Sequence, residues 1–196
     1  MKRVIAALVA SALMAVGTGA AFAAASTGVP EVDEANATIQ LAAAKFIPTG
    51  CAGEDGISYV TYRGTWKGGE TDTTPGSTDY NLTGTLTIKN VVWTINLTTD
   101  RGLLRGKATL TGDGAKVPTY AGALTLITQG LPAAGAVVQA RGWESAATYT
   151  QGVADGGSLL ANVELEIGAG FAANGLFGNA SMGINDISVA TNNQAC

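Results

Sequence analysis

From Gly56 onward apolar and polar residues alternate with a period of two, and small clusters of turn residues cut that alternation into short segments. Successive side chains of a strand point to opposite faces, so this pattern specifies half-buried strands. It divides into eight strand-like segments, at roughly 57–67, 79–89, 91–99, 102–111, 117–128, 136–148, 158–167 and 175–189. The separators include Thr73-Thr74-Pro75-Gly76, Asp100-Arg101-Gly102, Gly112-Asp113-Gly114, Leu131-Pro132 and Asp155-Gly156-Gly157. Such residues supply the positive or fixed φ that hairpin turns require. No helical stretch of crossover length lies between the segments, so the sheet is expected to be antiparallel.

The two faces are distinct. Tyr80, Leu82, Gly84, Leu86 and Ile88 share one side of their segment, and Asn81, Thr83, Thr85, Thr87 and Lys89 the other. Gly64, Gly84, Gly106, Gly122, Gly142 and Gly178 each fall mid-segment on the apolar side. Glycine weakens a strand, so its recurrence there needs a cause. One cause is the coiling of a sheet into a narrow barrel; another is an interior left partly open. The expected fold is all-β: an antiparallel, about eight-stranded, up-and-down barrel with a short N-terminal helix.

That helix is expected over 33–46. Asp33 can cap it, and Ile39, Ala42, Ala43 and Phe46 fall on one helical face before Pro48 and Gly50 stop it. Ahead of it, Lys2 and Arg3, an apolar run from Val4 to Val16 and Ala21-Phe22-Ala23 have the layout of a secretory signal cut after Ala23. The expected organisation is therefore a signal peptide at 1–23, a leader and short helix at 24–50, and a barrel domain at 51–196. Secretion, to a periplasm or to the extracellular space, makes Cys51 and Cys196 a disulfide pair. Flanking the first and last segments, they also favour a closed sheet. In an open one those ends would stand about seven strand spacings apart, over ~30 Å.

Composition removes several functions. The net charge of −4 and pI near 4.7 disfavour nucleic acid. There is no histidine, which excludes Ser-His-Asp and Cys-His catalysis and histidine-held metals. No cofactor or metal is expected, and the Asp/Gly turns carry no calcium motif. Glu164 and Glu166 share a strand face at a spacing that suits paired carboxylates, but that face is the wet one. A barrel embedded in a membrane is disfavoured, because glycines occupy the apolar face and aromatics make up only 6% of the chain.

The candidate ligand-binding residues are Tyr62, Trp66, Tyr80, Trp93 and Tyr120, which share the inward parity. Large rings beside inward glycines could line a pocket for a small apolar molecule, or else plug the core. Trp143 has the parity opposite to Gly142, so it is either a surface ring or one turned inward by a bulge. The segment Arg63-Gly64-Thr65-Trp66 and the recurring strand glycine resemble the strand pattern of avidin-like and lipocalin-like barrels. The resemblance covers a few residues per strand and no set of ligand contacts, and it assigns no family. The leading expectation is a secreted, non-catalytic barrel binding a small apolar ligand or a cell-surface component. The alternatives are a structural or interaction protein of the cell envelope with a packed core, and a barrel enzyme of cyclase or isomerase type.

Overall fold

A computed structural model describes residues 36–53, 56–76, 80–133, 135–150 and 157–178. Eight strands run in chain order: β1 (Ala37–Ala52), β2 (Ser58–Asp72), β3 (Thr83–Asn96), β4 (Arg101–Thr111), β5 (Thr119–Gln129), β6 (Val138–Thr150), β7 (Gly157–Ile167) and β8 (Ala173–Gly178). Each pairs antiparallel with the next, and β8 returns to β1, with Ala37 opposite Phe177 and Leu41 opposite Ala173. The sheet is a closed barrel, as the alternation and the glycines implied. A single 3-10 turn, Ala169–Phe171, links β7 to β8.

Two departures from the sequence reading offset each other, so that eight strands remain. The helix expected over 33–46 is absent from the described part of that stretch, where residues 37–46 belong to β1. Ala37, Ile39 and Leu41 are buried at a period of two, and this part of the strand has a ladder on both sides. Alanine's helix propensity is a weak local preference that two rows of inter-strand hydrogen bonds override. Conversely, the segments 79–89 and 91–99 are one strand. A bulge between Lys89 and Val92, with Asn90 at φ 53, moves the inward set from Gly84, Leu86 and Ile88 to Val91, Trp93 and Ile95. An extra residue changes which parity faces the core while the chain stays in the sheet.

The glycines mark close approach between neighbouring strands. A Cβ on Gly142 would run into the Thr125 carbonyl and Leu126 Cα of β5, and one on Gly122 into the Ser145 carbonyl of β6. At Gly84 the space is taken by the side chains of Leu110 and Val117, and at Gly106 by that of Ile88. These positions let the sheet coil tightly, and what they leave vacant other groups fill.

Polarity is sorted by face. Along β4, Leu104, Ala108 and Leu110 are buried while Arg101, Arg105, Lys107, Thr109 and Thr111 are exposed. On the outer face of β6 and β7, Arg141 lies 3.6 Å from Glu164, and Gln139 donates to Glu166 across 3.0 Å. Trp143 lies half-buried on this outer parity, between buried Gly142 and Glu144, in a stretch of β6 whose register with β5 and β7 is unbroken. Among the described residues no helix is long and apolar enough to cross a membrane.

The cysteines relate to the barrel differently than expected. Cys51 is inside β1, opposite Tyr59 of β2, instead of preceding the first strand. It stands at the far end of β1 from the Ala37–Phe177 contact, so the rim argument for closure does not apply; the ladder between β1 and β8 makes that closure itself. Cys196 lies outside the described residues, as do the signal segment and residues 179–189 of the last expected strand.

Candidate functional site

Rings crowd the end of the barrel where β7 turns into β8. Phe46 of β1 stacks on Phe171 with centroids 4.7 Å apart and packs 4.7 Å from Trp66 of β2. Tyr62 lies 5.1 Å from Phe171 and 5.6 Å from Trp93 of β3. Trp66 and Trp93 are fully buried, both at 0% exposure. Each indole donor is used within the protein, Trp66 Nε1 to the Phe171 carbonyl (2.6 Å) and Trp93 Nε1 to Thr128 Oγ1 (2.8 Å). A buried ring whose donor has a partner is settled in a core. Outside this plug, Pro132, Ala133 and Gly168 to Phe171 border a cleft of about 290 Å³ with no charged residue on its wall.

Of the five rings proposed from sequence, the structure gathers Tyr62, Trp66 and Trp93 at this end and places Tyr120 at the other. Tyr80 corrects the parity reading. It sits in the turn before β3 and is 53% exposed, because the strand starts only at Thr83 and the alternation counted back from Leu86 does not reach it.

The opposite end, where β1 begins and β2 and β4 finish, has a different chemistry. Tyr120 is the second residue of β5, and its hydroxyl donates to Glu70 Oε2 of β2 across 2.8 Å. The carboxyl group of Glu144 of β6 interacts with the same Tyr120 hydroxyl. Both carboxyl groups are buried, Glu70 at 6% and Glu144 at 1% exposure, and Glu144 Oε1 has no hydrogen-bond partner at all. The Tyr120 ring stacks over Phe177 with centroids 6.5 Å apart.

No protein-family model, curated protein or solved structure matches this chain. What the site does must be read from its own atoms.

Burial raises Glu70 to about 7, with the charge of Asp72 adding to the rise and the Tyr120 bond opposing it. Burial likewise raises Glu144 to about 8; the Glu70 charge adds to this, and Tyr120 again opposes it. Tyr120 itself is pushed well above its ordinary value, first by burial and then by the two carboxylates. A phenol has one hydrogen to give. It goes to Glu70 Oε2, and the same phenol also favours the charged form of Glu144, so two buried carboxyl groups compete for one donor. Of the two acids Glu144 holds its proton longer. Its Oε1 is left without a hydrogen-bond partner.

Reading the sequence singled out Tyr120 but not its two acids. The signal was present. Glu144 shares the parity of inward Gly142, and Glu70 that of Trp66. An acidic residue in phase with the core is either an error of register or a feature of the interior. Glu164 and Glu166, the carboxylates weighed from sequence, stand on the outer face with partners there. Among the described residues no three His, Cys, Asp or Glu side chains are grouped to hold a metal ion.

Proposed function

We propose that the chain is an exported barrel with a water-facing exterior and a packed interior, acting as a non-catalytic structural or interaction module outside the cytoplasm. The observation that carries this reading is the aromatic plug. Phe46, Tyr62, Trp66, Trp93 and Phe171 take each other's faces, and both indole donors are spent on protein oxygens. The rings that would have greeted a small apolar ligand are occupied by one another. Lys, Arg, Thr and Glu on the outward strand positions support a barrel surrounded by water, and the signal-like start and the two cysteines support export.

The test is a titration of the purified exported chain with a series of fatty acids and flat aromatic dyes, followed by tryptophan emission and native mass spectrometry. Unchanged emission and a bare protein mass are the expected results. A saturable change in emission accompanied by a ligand adduct would return the barrel to the class of apolar-ligand carriers.

A further inference from the structure

The polar end of the barrel buries acid without burying base. Glu70, Tyr120 and Glu144 converge from β2, β5 and β6, and the charge of Asp72 bears on Glu70. Every other strand presents an uncharged residue next to them: Ile39 of β1 and Gly84 of β3 opposite Glu70, Leu110 of β4 opposite Tyr120, Ala161 of β7 opposite Glu144, and Phe177 of β8 on the Tyr120 ring. Every described Lys and Arg is exposed. A buried carboxylate is costly unless a proton or a positive partner neutralises it. Independently, Glu144 Oε1 is an acceptor with no donor, and an orphaned buried oxygen of this kind requires an explanation.

We propose that this trio is the seat of a small nitrogen cation, ammonium or a primary alkylammonium, whose N–H group is received by Glu144 Oε1. Ammonium supplies both things the site lacks, a donor for the bare oxygen and a positive charge for the acid pair. Hard metal ions fit less well. They ask for six or more oxygen ligands, and no group of three ligating side chains exists among the described residues. The exchange balances: one cation enters and the acid proton of Glu144 leaves to solvent, so the net charge of the site is unchanged.

The experiment uses the exported chain at pH 7, where Glu144 still holds most of its proton, with ammonium chloride or methylammonium chloride compared with sodium, potassium and tetramethylammonium chloride at equal ionic strength. The expected result is a saturable rise in melting temperature of several degrees with the two N–H cations and no comparable rise with the other three. Calorimetry in two buffers of different ionisation enthalpy should show a proton released for each cation bound. Glu144→Gln should abolish both signals, while Glu164→Gln on the outer face should keep them. Equal shifts in all salts, no shift, or a response that survives Glu144→Gln would overturn the proposal and leave Oε1 to water. The salt comparison on the unaltered chain decides the matter even if a variant folds poorly, and its failure would leave the packed-barrel reading intact.

Discussion

The indole nitrogen of Trp66 donates to the backbone carbonyl of Phe171 across 2.6 Å, tying the middle of β2 to the turn that leads into β8. Phe171 holds a left-handed backbone, φ 61, that a non-glycine residue adopts at some cost. Its ring lies among Phe46, Tyr62 and Trp93, which is the compensation. Phe171→Ala keeps the strained backbone and removes the ring, so it should lower stability by about 2–4 kcal/mol, as removal of core aromatics does. Urea unfolding measures the loss, and a red shift of tryptophan emission should accompany it as Trp66 and Trp93 meet water.

The buried acids give stability a direction in pH. Both are raised in the folded chain, to about 7 and about 8, above the 4.5 of an ordinary glutamate such as the unfolded chain presents. The folded state therefore binds more protons than the unfolded state between those values. Stability is fully present below about pH 4.5 as far as these groups decide it, and it is lost progressively as pH climbs to about 8. Each pKa unit corresponds to about 1.4 kcal/mol before coupling between the acids is considered. Unfolding free energies at pH 5, 7 and 9 in sodium chloride should fall in that order, and a flat profile would contradict the buried pair.

Glu144→Gln isolates one of those groups. The amide cannot ionise, so the variant should resemble the parent at pH 5 and exceed it at pH 9, with a shallower slope between. A variant that is destabilised equally at every pH would mean that Glu144 acts through shape alone.

The glycines can be separated by what surrounds them. Gly142→Ala drives a Cβ into the Thr125 carbonyl, where only a shift of the backbone makes room. A cost of about 1–3 kcal/mol is expected, the range for overpacked sites. Gly50→Ala serves as the comparison, because its Cβ would meet only the Tyr59 carbonyl at an ordinary 4.0 Å. That change should stay within about 0.5 kcal/mol of the parent. Melting curves of the two variants side by side decide whether close strand approach is the reason for glycine.

Cys51 provides a test of export and of the expected pairing with Cys196. In protein recovered outside the cytoplasm, neither thiol should react with iodoacetamide until a reductant is added. Cys51→Ser should then melt several degrees lower, since a bond enclosing so long a loop contributes up to about 5 kcal/mol in the chain-entropy model. Equal melting of the variant and the parent would show that the pairing does not hold the fold.

Strand polarity was legible from sequence because a barrel wall writes its inside and outside onto alternate residues. β4 shows this most plainly, with Leu104, Ala108 and Leu110 within and Arg105, Lys107 and Thr109 without. The reading failed where local and tertiary preferences diverge. Ala37 to Phe46 satisfies helical spacing as well as strand spacing, and only the ladders to β2 and β8 decide between them. The break between the segments 79–89 and 91–99 is real in the alternation, but it marks a bulge with Asn90 at φ 53, around which the chain continues in the sheet. The acid pair was hidden for another reason. Glu70 and Glu144 are far apart in sequence, and a shared phenol makes them a site only when β2, β5 and β6 curl toward one another. Tyr120 was marked as an inward ring, but nothing in its neighbours along the chain announced what its hydroxyl would find.

The closed order of strands also governs how the molecule must come together in time. Seven of its eight pairings join neighbours in sequence and can form as hairpins, each closing a short loop. The eighth brings Ala37 to Phe177 and waits on almost the whole described chain. Closing so long a loop carries the largest entropic cost of any pairing, and topologies ruled by distant contacts fold slowly. Until β8 reaches β1 the wall has two open edges, each able to accept a strand from another molecule. The interval before closure is thus the chain's period of greatest exposure to misassembly, and the speed of that single seam sets how long it lasts.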